Sequence, residues 1–172
     1  MPRESSTITR RSTTTRDWTP AWVETLNRVY VPARYVFHVL QITGLYVGQL
    51  APSAYLTNAA FFQAADELRA LQWIAYWAKS LSLAHGTQLA NPEATRRIWE
   101  TDEAWQPARE TLERLLLAYD WGEAFTALNL VVKPALDALF KEAFVDLATA
   151  AGDGLTAALL QESRVDTTRS QA

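Results

Sequence analysis

Residues 35–65 read YVFHVLQITGLYVGQLAPSAYLTNAAFFQAA, thirty-one positions without one Asp, Glu, Lys or Arg. Pro52 and Ser53 interrupt the run. A proline there ends a helix, and the serine after it starts another, so the stretch predicts two helices folded back on each other as a hairpin. A membrane span needs about 20 consecutive apolar residues. His38, Gln41, Thr43, Gln49, Pro52, Ser53, Thr57, Asn58 and Gln63 break the run too often for that, and no membrane association is expected. The alternative is a helix pair buried on nearly all sides, by the remaining helices or by another protein, because large apolar surfaces on water-exposed proteins mark association.

Helix signals continue outward from the hairpin, and no segment alternates apolar and polar residues as a half-buried strand does. Thr19-Pro20 caps a first helix to about Tyr30, Pro32 opens the second to about Leu50, and the third runs from Ser53 to about Leu83. Asn91-Pro92-Glu93 starts a fourth helix, Pro107 restarts the chain into 108–119, and Asp120 caps a long helix to about Ala150 with a kink expected at Pro134. The fold class is therefore all-α, an antiparallel helical bundle around a long central hairpin. Residues 1–16 hold eight Ser or Thr and four Arg with little to bury, and read as a disordered tail ahead of one helical domain over 17–172.

Composition removes whole classes of chemistry. The chain has no cysteine, which excludes disulfides, thiolate metal sites and a cysteine nucleophile. A net charge of −3 gives no general attraction to nucleic acid, and no apolar leader follows the first residues, so a cytoplasmic protein is expected. There are two histidines, His38 and His85. His38 falls in the apolar hairpin and is expected as a buried, satisfied side chain; His85 beside Gly86 reads as a helix C-terminal cap.

A di-iron carboxylate bundle needs two Glu-x-x-His pairs and two further Glu on facing helices. Tyr35 and Ser82 stand three residues before the two histidines, and no acid occurs from Asn27 through Ala65 to face Glu67. No Gly-x-Ser-x-Gly elbow and no glycine-rich phosphate loop is present either. No catalytic, metal or cofactor residue is therefore assigned. The candidates that remain are structural: Gly44 and Gly48, four apart, for close helix approach; Trp73, Tyr76 and Trp77 as an aromatic face; and Asp66, Glu67 and Arg69 as charges in a nearly uncharged helix. Arg69 can pair with Asp66 at i,i+3, and an Arg or Lys of a partner chain is expected to meet Glu67.

The residues also carry a resemblance. Arg34-Tyr35-Val36-Phe37-His38-Val39-Leu40-Gln41, then Tyr46-Val47-Gly48-Gln49-Leu50-Ala51-Pro52-Ser53 and Phe62-Gln63-Ala64-Ala65-Asp66-Glu67-Leu68-Arg69, are similar to the β subunit of toluene-type soluble di-iron monooxygenase hydroxylases. Trp99-Glu100, Ala104-Trp105-Gln106, Asp120-Trp121-Gly122-Glu123-Ala124-Phe125 and Leu128-Asn129-Leu130-Val131-Val132-Lys133-Pro134 follow in the same order. The resemblance spans about Tyr30 to Arg169. It implies a ferritin-like bundle, and interface or structural roles for Arg34, Tyr35, His38 and Gln41 beside the residues above. Family β subunits are longer and continue past the segment resembling 166–170, so the chain is read as shortened at both ends, as part of a split gene, or as a fragment.

In that family the hydroxylase contains α, β and γ subunits, and the di-iron centre belongs to α. The α pattern Asp-Glu-x-Arg-His compares with Asp66-Glu67-Leu68-Arg69-Ala70, which puts Ala70 where the iron-binding histidine stands. The implied role is a non-catalytic scaffold in an oxidoreductase that hydroxylates or epoxidises aromatic hydrocarbons or alkenes with O2 and NADH-derived electrons. Its implied partners are α and γ, with an effector protein and a ferredoxin through the complex. The alternatives are a homo-oligomeric helical protein and a degenerate ferritin-like oxidase built on Glu67, Glu123, Asp137 and His38.

Overall fold

The computed structural model describes residues 18–85 and 90–171. The tail at 1–16 and the cap expected from the His85 side chain lie outside what it describes. Among the described residues all regular structure is helical: α1 (Pro20–Thr25), α2 (Ala33–Leu50), α3 (Ala54–His85), α4 (Pro92–Thr101), α5 (Gln106–Leu116), α6 (Trp121–Thr126), α7 (Lys133–Asp137), α8 (Phe144–Ala150) and α9 (Gly154–Gln171). π-Helical segments Leu26–Tyr30, Ala127–Val132 and Ala138–Ala143 lengthen α1 and join α6, α7 and α8 into one rod over 121–150.

The starts follow the expected capping chemistry. Thr19 accepts from the Trp22 N–H, Asn91 from Glu93 and Ala94, and Asp120 from Gly122 and Glu123, each satisfying donors that a helix N-terminus leaves open. Pro32 stands at the start of α2, as expected. At Pro134 helical structure continues on both sides; a π segment precedes it, and Lys133 N–H bonds Leu128 O in the wider i→i+5 turn. The same device precedes Pro32, where Val31 N–H bonds Leu26 O. Pro32 has no N–H for the Arg28 carbonyl four residues back, and that carbonyl instead accepts from the Trp105 indole at 2.7 Å.

The hairpin of α2 and α3 is the centre of the molecule. α2 buries Ala33, Val36, Phe37, Leu40, Thr43, Gly44, Val47 and Gly48 on one face. Burial on nearly all sides is not what this chain achieves by itself: Ile42, Gln49 and Leu50 on the other face of α2 are exposed, as are Tyr55, Phe61 and Phe62 on α3. His38 shares that open face and is exposed, with Nδ1 3.1 Å from Gln41 Oε1, so its expected burial is corrected. The physical reason is angular. The core takes positions 33, 36, 37, 40, 44 and 47, and His38 lies on the opposite arc of the helix.

Gly44 and Gly48 both face α3. A Cβ on Gly44 would meet Ala64 Cβ at 3.4 Å, an ordinary contact, whereas one on Gly48 would sit 2.6 Å from Phe61 Cε1. Gly44→Ala is therefore expected to leave stability nearly unchanged. Gly48→Leu is expected to cost about 1–3 kcal/mol through overpacking, read as a lower urea midpoint; equal midpoints for the two variants would contradict the close approach seen at Gly48.

A helix that the sequence reading ended without is α9. Gly152, at φ +76°, closes α8 in a conformation that favours glycine, with Gly152 N–H on Thr149 O and Asp153 N–H on Ala148 O. The chain then turns back, and α9 packs along α8 and touches α3. Three tryptophans use their indole N–H groups as ties in this core: Trp105 to Arg28 O, Trp22 to Asp153 Oδ2 at 3.0 Å, and Trp77 to Thr156 Oγ1 at 2.8 Å.

Candidate functional site

A cluster of charges is buried between α3 and the rod. Glu67, on the inward face of α3, meets Lys133 Nζ at 2.5 Å; Lys133 also approaches Asp137 Oδ2 at 3.1 Å, and Lys141 binds Asp137 Oδ1 at 2.7 Å. All four side chains are buried. Lys133, Asp137 and Lys141 repeat at i,i+4 along the rod, so its inward stripe offers two ammonium groups to two carboxylates. The partner for Glu67 therefore comes from this chain, which corrects the expectation of a cation from another subunit.

Burial is the largest influence on Glu67 and pushes its carboxyl above the ordinary range, against the opposing pull of Lys133 and Lys141. For Lys133 burial acts the other way, yet the combined attraction of Glu67 and Asp137 outweighs it and raises the ammonium pKa. Next to Glu67 in the chain, Asp66 accepts from Arg69 at 2.6 Å, as the i,i+3 spacing predicts.

This donor set does not fit a di-iron centre. It contains two carboxylates and no imidazole, its carboxylates already hold ammonium cations, and the half-buried Ala70 stands at the position compared with the family's iron-binding histidine. Among the described residues no group of three or more His, Cys, Asp or Glu side chains is placed to hold a metal ion. Glu123 and His38, considered with Glu67 and Asp137 as an unconventional site, are not in the cluster: Glu123 lies in the first turn of α6 and His38 faces outward.

Beside the cluster, a groove of about 620 Å3 runs between α2, α3 and the rod, walled by Val47, Leu56, Phe62, Leu128 and Pro134 and reaching Asp66 and Lys133. Its polar residues are engaged within the fold, Asn129 Nδ2 donating to Phe125 O at 3.1 Å, except that Gln63 Nε2 is buried without a partner.

The other candidates separate into inner and outer sets. Trp77 is in the core, whereas Trp73 and Tyr76 are exposed and pack edge-to-face at 6.3 Å, so the three do not form one core face. Arg34 lies over the Tyr35 ring at 5.1 Å, and Tyr35 stacks on Trp99 at 5.6 Å, which ties the start of α2 to α4. Sequence reasoning named Asp66, Glu67 and Arg69 but passed over Lys133 and Lys141 as cluster members. The i,i+4 repeat of Lys133, Asp137 and Lys141 along the rod was the available signal.

The chain is thus an antiparallel helical bundle with a charged cluster at its centre, where ammonium groups hold the carboxylates. The family described as Methane/Phenol/Alkene Hydroxylase matches residues 6–172, and the chain belongs to that family. Within it the similarity is to the beta, or small, subunits. The toluene-4-monooxygenase system hydroxylase component subunit beta of Ectopseudomonas mendocina is 45% identical over 121 residues, 70% of this chain and 37% of the relative. The propane 2-monooxygenase hydroxylase component small subunit of Gordonia sp. (strain TY-5) is 26% identical over 155 residues, covering 87% of this chain and 40% of the relative. A solved structure of toluene 4-monooxygenase with toluene bound in its resting active site superposes with a TM-score of 0.87 at 36% identity, over 92% of this chain and 52% of the other. The chain thus spans about half, or less, of the proteins it matches.

Proposed function

We propose that the chain acts as the non-catalytic β scaffold of a multicomponent di-iron monooxygenase hydroxylase, and that it binds an iron-bearing α subunit and a γ subunit. The observation that carries this reading is the central cluster, in which Lys133 and Lys141 neutralise Glu67 and Asp137 inside a bundle of hydroxylase architecture. The exposed, uncharged apolar side chains of the hairpin support an assembly role. In this reading the α subunit's di-iron centre supplies the oxygen chemistry, on aromatic hydrocarbons or alkenes, with NADH-derived electrons arriving through a ferredoxin and an effector protein acting on the complex. No described helix is long and apolar enough to cross a membrane, and a cytoplasmic location belongs to the same reading.

The experiment is co-expression with the α and γ subunits of a hydroxylase of this family, followed by size exclusion and metal analysis of the complex and of the chain alone. The expected result is a stable complex with iron confined to α and none held by this chain. Stoichiometric iron in the isolated chain, or failure to form a complex, overturns the scaffold reading.

A further inference from the structure

α3 carries two seams. Its inner one, through Ala60, Ala64, Glu67, Ile74, Trp77, Ala78 and Leu81, is buried by the rest of the chain. Its outer one repeats every seven residues: Tyr55, Phe62, Arg69, Tyr76 and Leu83. The four apolar members of that repeat stay 89%, 67%, 66% and 76% exposed in chain order. A seven-residue spacing kept over the length of a helix is the pattern by which one helix receives another in coiled-coil packing, since it holds a single stripe in line along a supercoiled neighbour.

Midway along the stripe is a shallow hollow of about 480 Å3 lined by Arg69, Gln72, Trp73 and Tyr76. Among the described side chains of α3, the exposed charges beside it have one sign. Asp66 and Glu67 turn inward and are buried, whereas Arg69 and Lys79 lie on the exposed face. Arg69 is bonded to Asp66, and its side chain still shows half its surface to solvent. Two copies of this chain joined through the stripe would bring cation to cation in either direction, so charge complementarity disfavours self-pairing and selects an acidic occupant.

We propose that the outer stripe of α3 receives a helix of the α subunit, and that this helix is apolar at seven-residue spacing and seats a carboxylate in the hollow between Arg69 and Lys79. The proposal rests on the scaffold reading and names the surface and chemistry by which it assembles. Tyr55, Phe62, Tyr76 and Leu83 form the apolar stripe, Trp73 walls the hollow, and the two cations set register and exclude a second copy of this chain.

The experiment uses the full chain with the α subunit of a hydroxylase of this family and compares wild type, Lys79→Glu and Tyr76→Ser by affinity capture and titration at low and high salt. Both side chains are exposed, so far-UV circular dichroism and the unfolding midpoint are expected to stay at the wild-type values. Each substitution is expected to weaken the complex at least tenfold, and Lys79→Glu to flatten its salt dependence. Affinities within twofold of wild type for both variants overturn the assignment of this surface while leaving the scaffold reading intact. A wild-type chain that captures no α overturns the scaffold reading itself. A dimer of the chain alone that Tyr76→Ser dissolves identifies a second copy as the occupant, and overturns the proposal as well.

Discussion

Lys133→Met is expected to be the most damaging single change in this chain, lowering unfolding free energy by about 3–5 kcal/mol, because it removes one partner of a buried ion pair and leaves the other behind. The ammonium holds Glu67 at 2.5 Å and Asp137 at 3.1 Å, and both carboxylates are buried. Glu67→Gln is expected to cost less. Burial already opposes the Glu67 charge, and Lys133 keeps Asp137 after the substitution. The double variant Glu67→Leu with Lys133→Met is expected to recover a large part of the Lys133→Met loss, since it exchanges a pair for apolar side chains of similar size. Urea denaturation of wild type, Glu67→Leu, Lys133→Met and the double variant closes the cycle, and additive single effects would show that the two groups do not act as a pair.

The same cluster fixes a direction for the pH dependence. The folded-state pKa of Lys133 is raised above 10.5, its ordinary value, so its contribution is fully present below that pH and is lost as pH climbs through the higher folded value. Wild type is therefore expected to lose stability above about pH 10.5 by an increment that Lys133→Met does not show. The carboxyl of Glu67 is raised too, which makes its protonated form the better-tolerated one: its favourable contribution is complete below pH 4.5, its ordinary value, and fades as pH rises through the folded pKa. Thermal melts between pH 9 and 12 for the two proteins separate the Lys133 limb from general alkaline unfolding.

Much of this fold was legible because its punctuation is local. Thr19, Asn91 and Asp120 are caps that read the same in a sequence and in a structure, and the charge-free run at 35–65 announced the hairpin through a shortage of residues that need water. The deviations arise where tertiary partners decide. A π turn precedes Pro134, and at Pro32 the indole of Trp105, far away in sequence, takes the carbonyl that the proline leaves without a donor. Burial of His38 could not be read from its apolar neighbours, since which arc of α2 meets the core depends on where α3 and the rod lie. The cluster was half visible: Glu67 in an apolar helix demanded a cation, but the sequence could not say that Lys133, sixty-six positions on, would supply it.

The same limit hid the end of the bundle, and its test is the second large effect expected here. Asp153 looks like an ordinary loop acid after Gly152, yet it is almost fully buried and serves two helices at once. One oxygen caps α9 by accepting from Thr156 N–H at 2.9 Å, and the other accepts from the Trp22 indole at 3.0 Å. Thr156 in turn accepts from Trp77, so α1, α3 and α9 meet at one carboxylate and one hydroxyl. Removing the cap costs about 0.5–2 kcal/mol, and leaving a buried indole donor without an acceptor costs about 1–3 kcal/mol more. Asp153→Ala is therefore expected to lose about 1.5–5 kcal/mol, with Asp153→Asn intermediate because its amide offers one acceptor to two donors. Native-state hydrogen exchange gives the sharper readout. Amides of α9 are expected to exchange at least tenfold faster in Asp153→Ala while those of α2 change less, because Asp153 caps the start of α9 whereas α2 is packed along the length of α3. Uniform acceleration throughout the chain would show instead that α9 unfolds only with the whole bundle, and that Asp153 stabilises the domain globally.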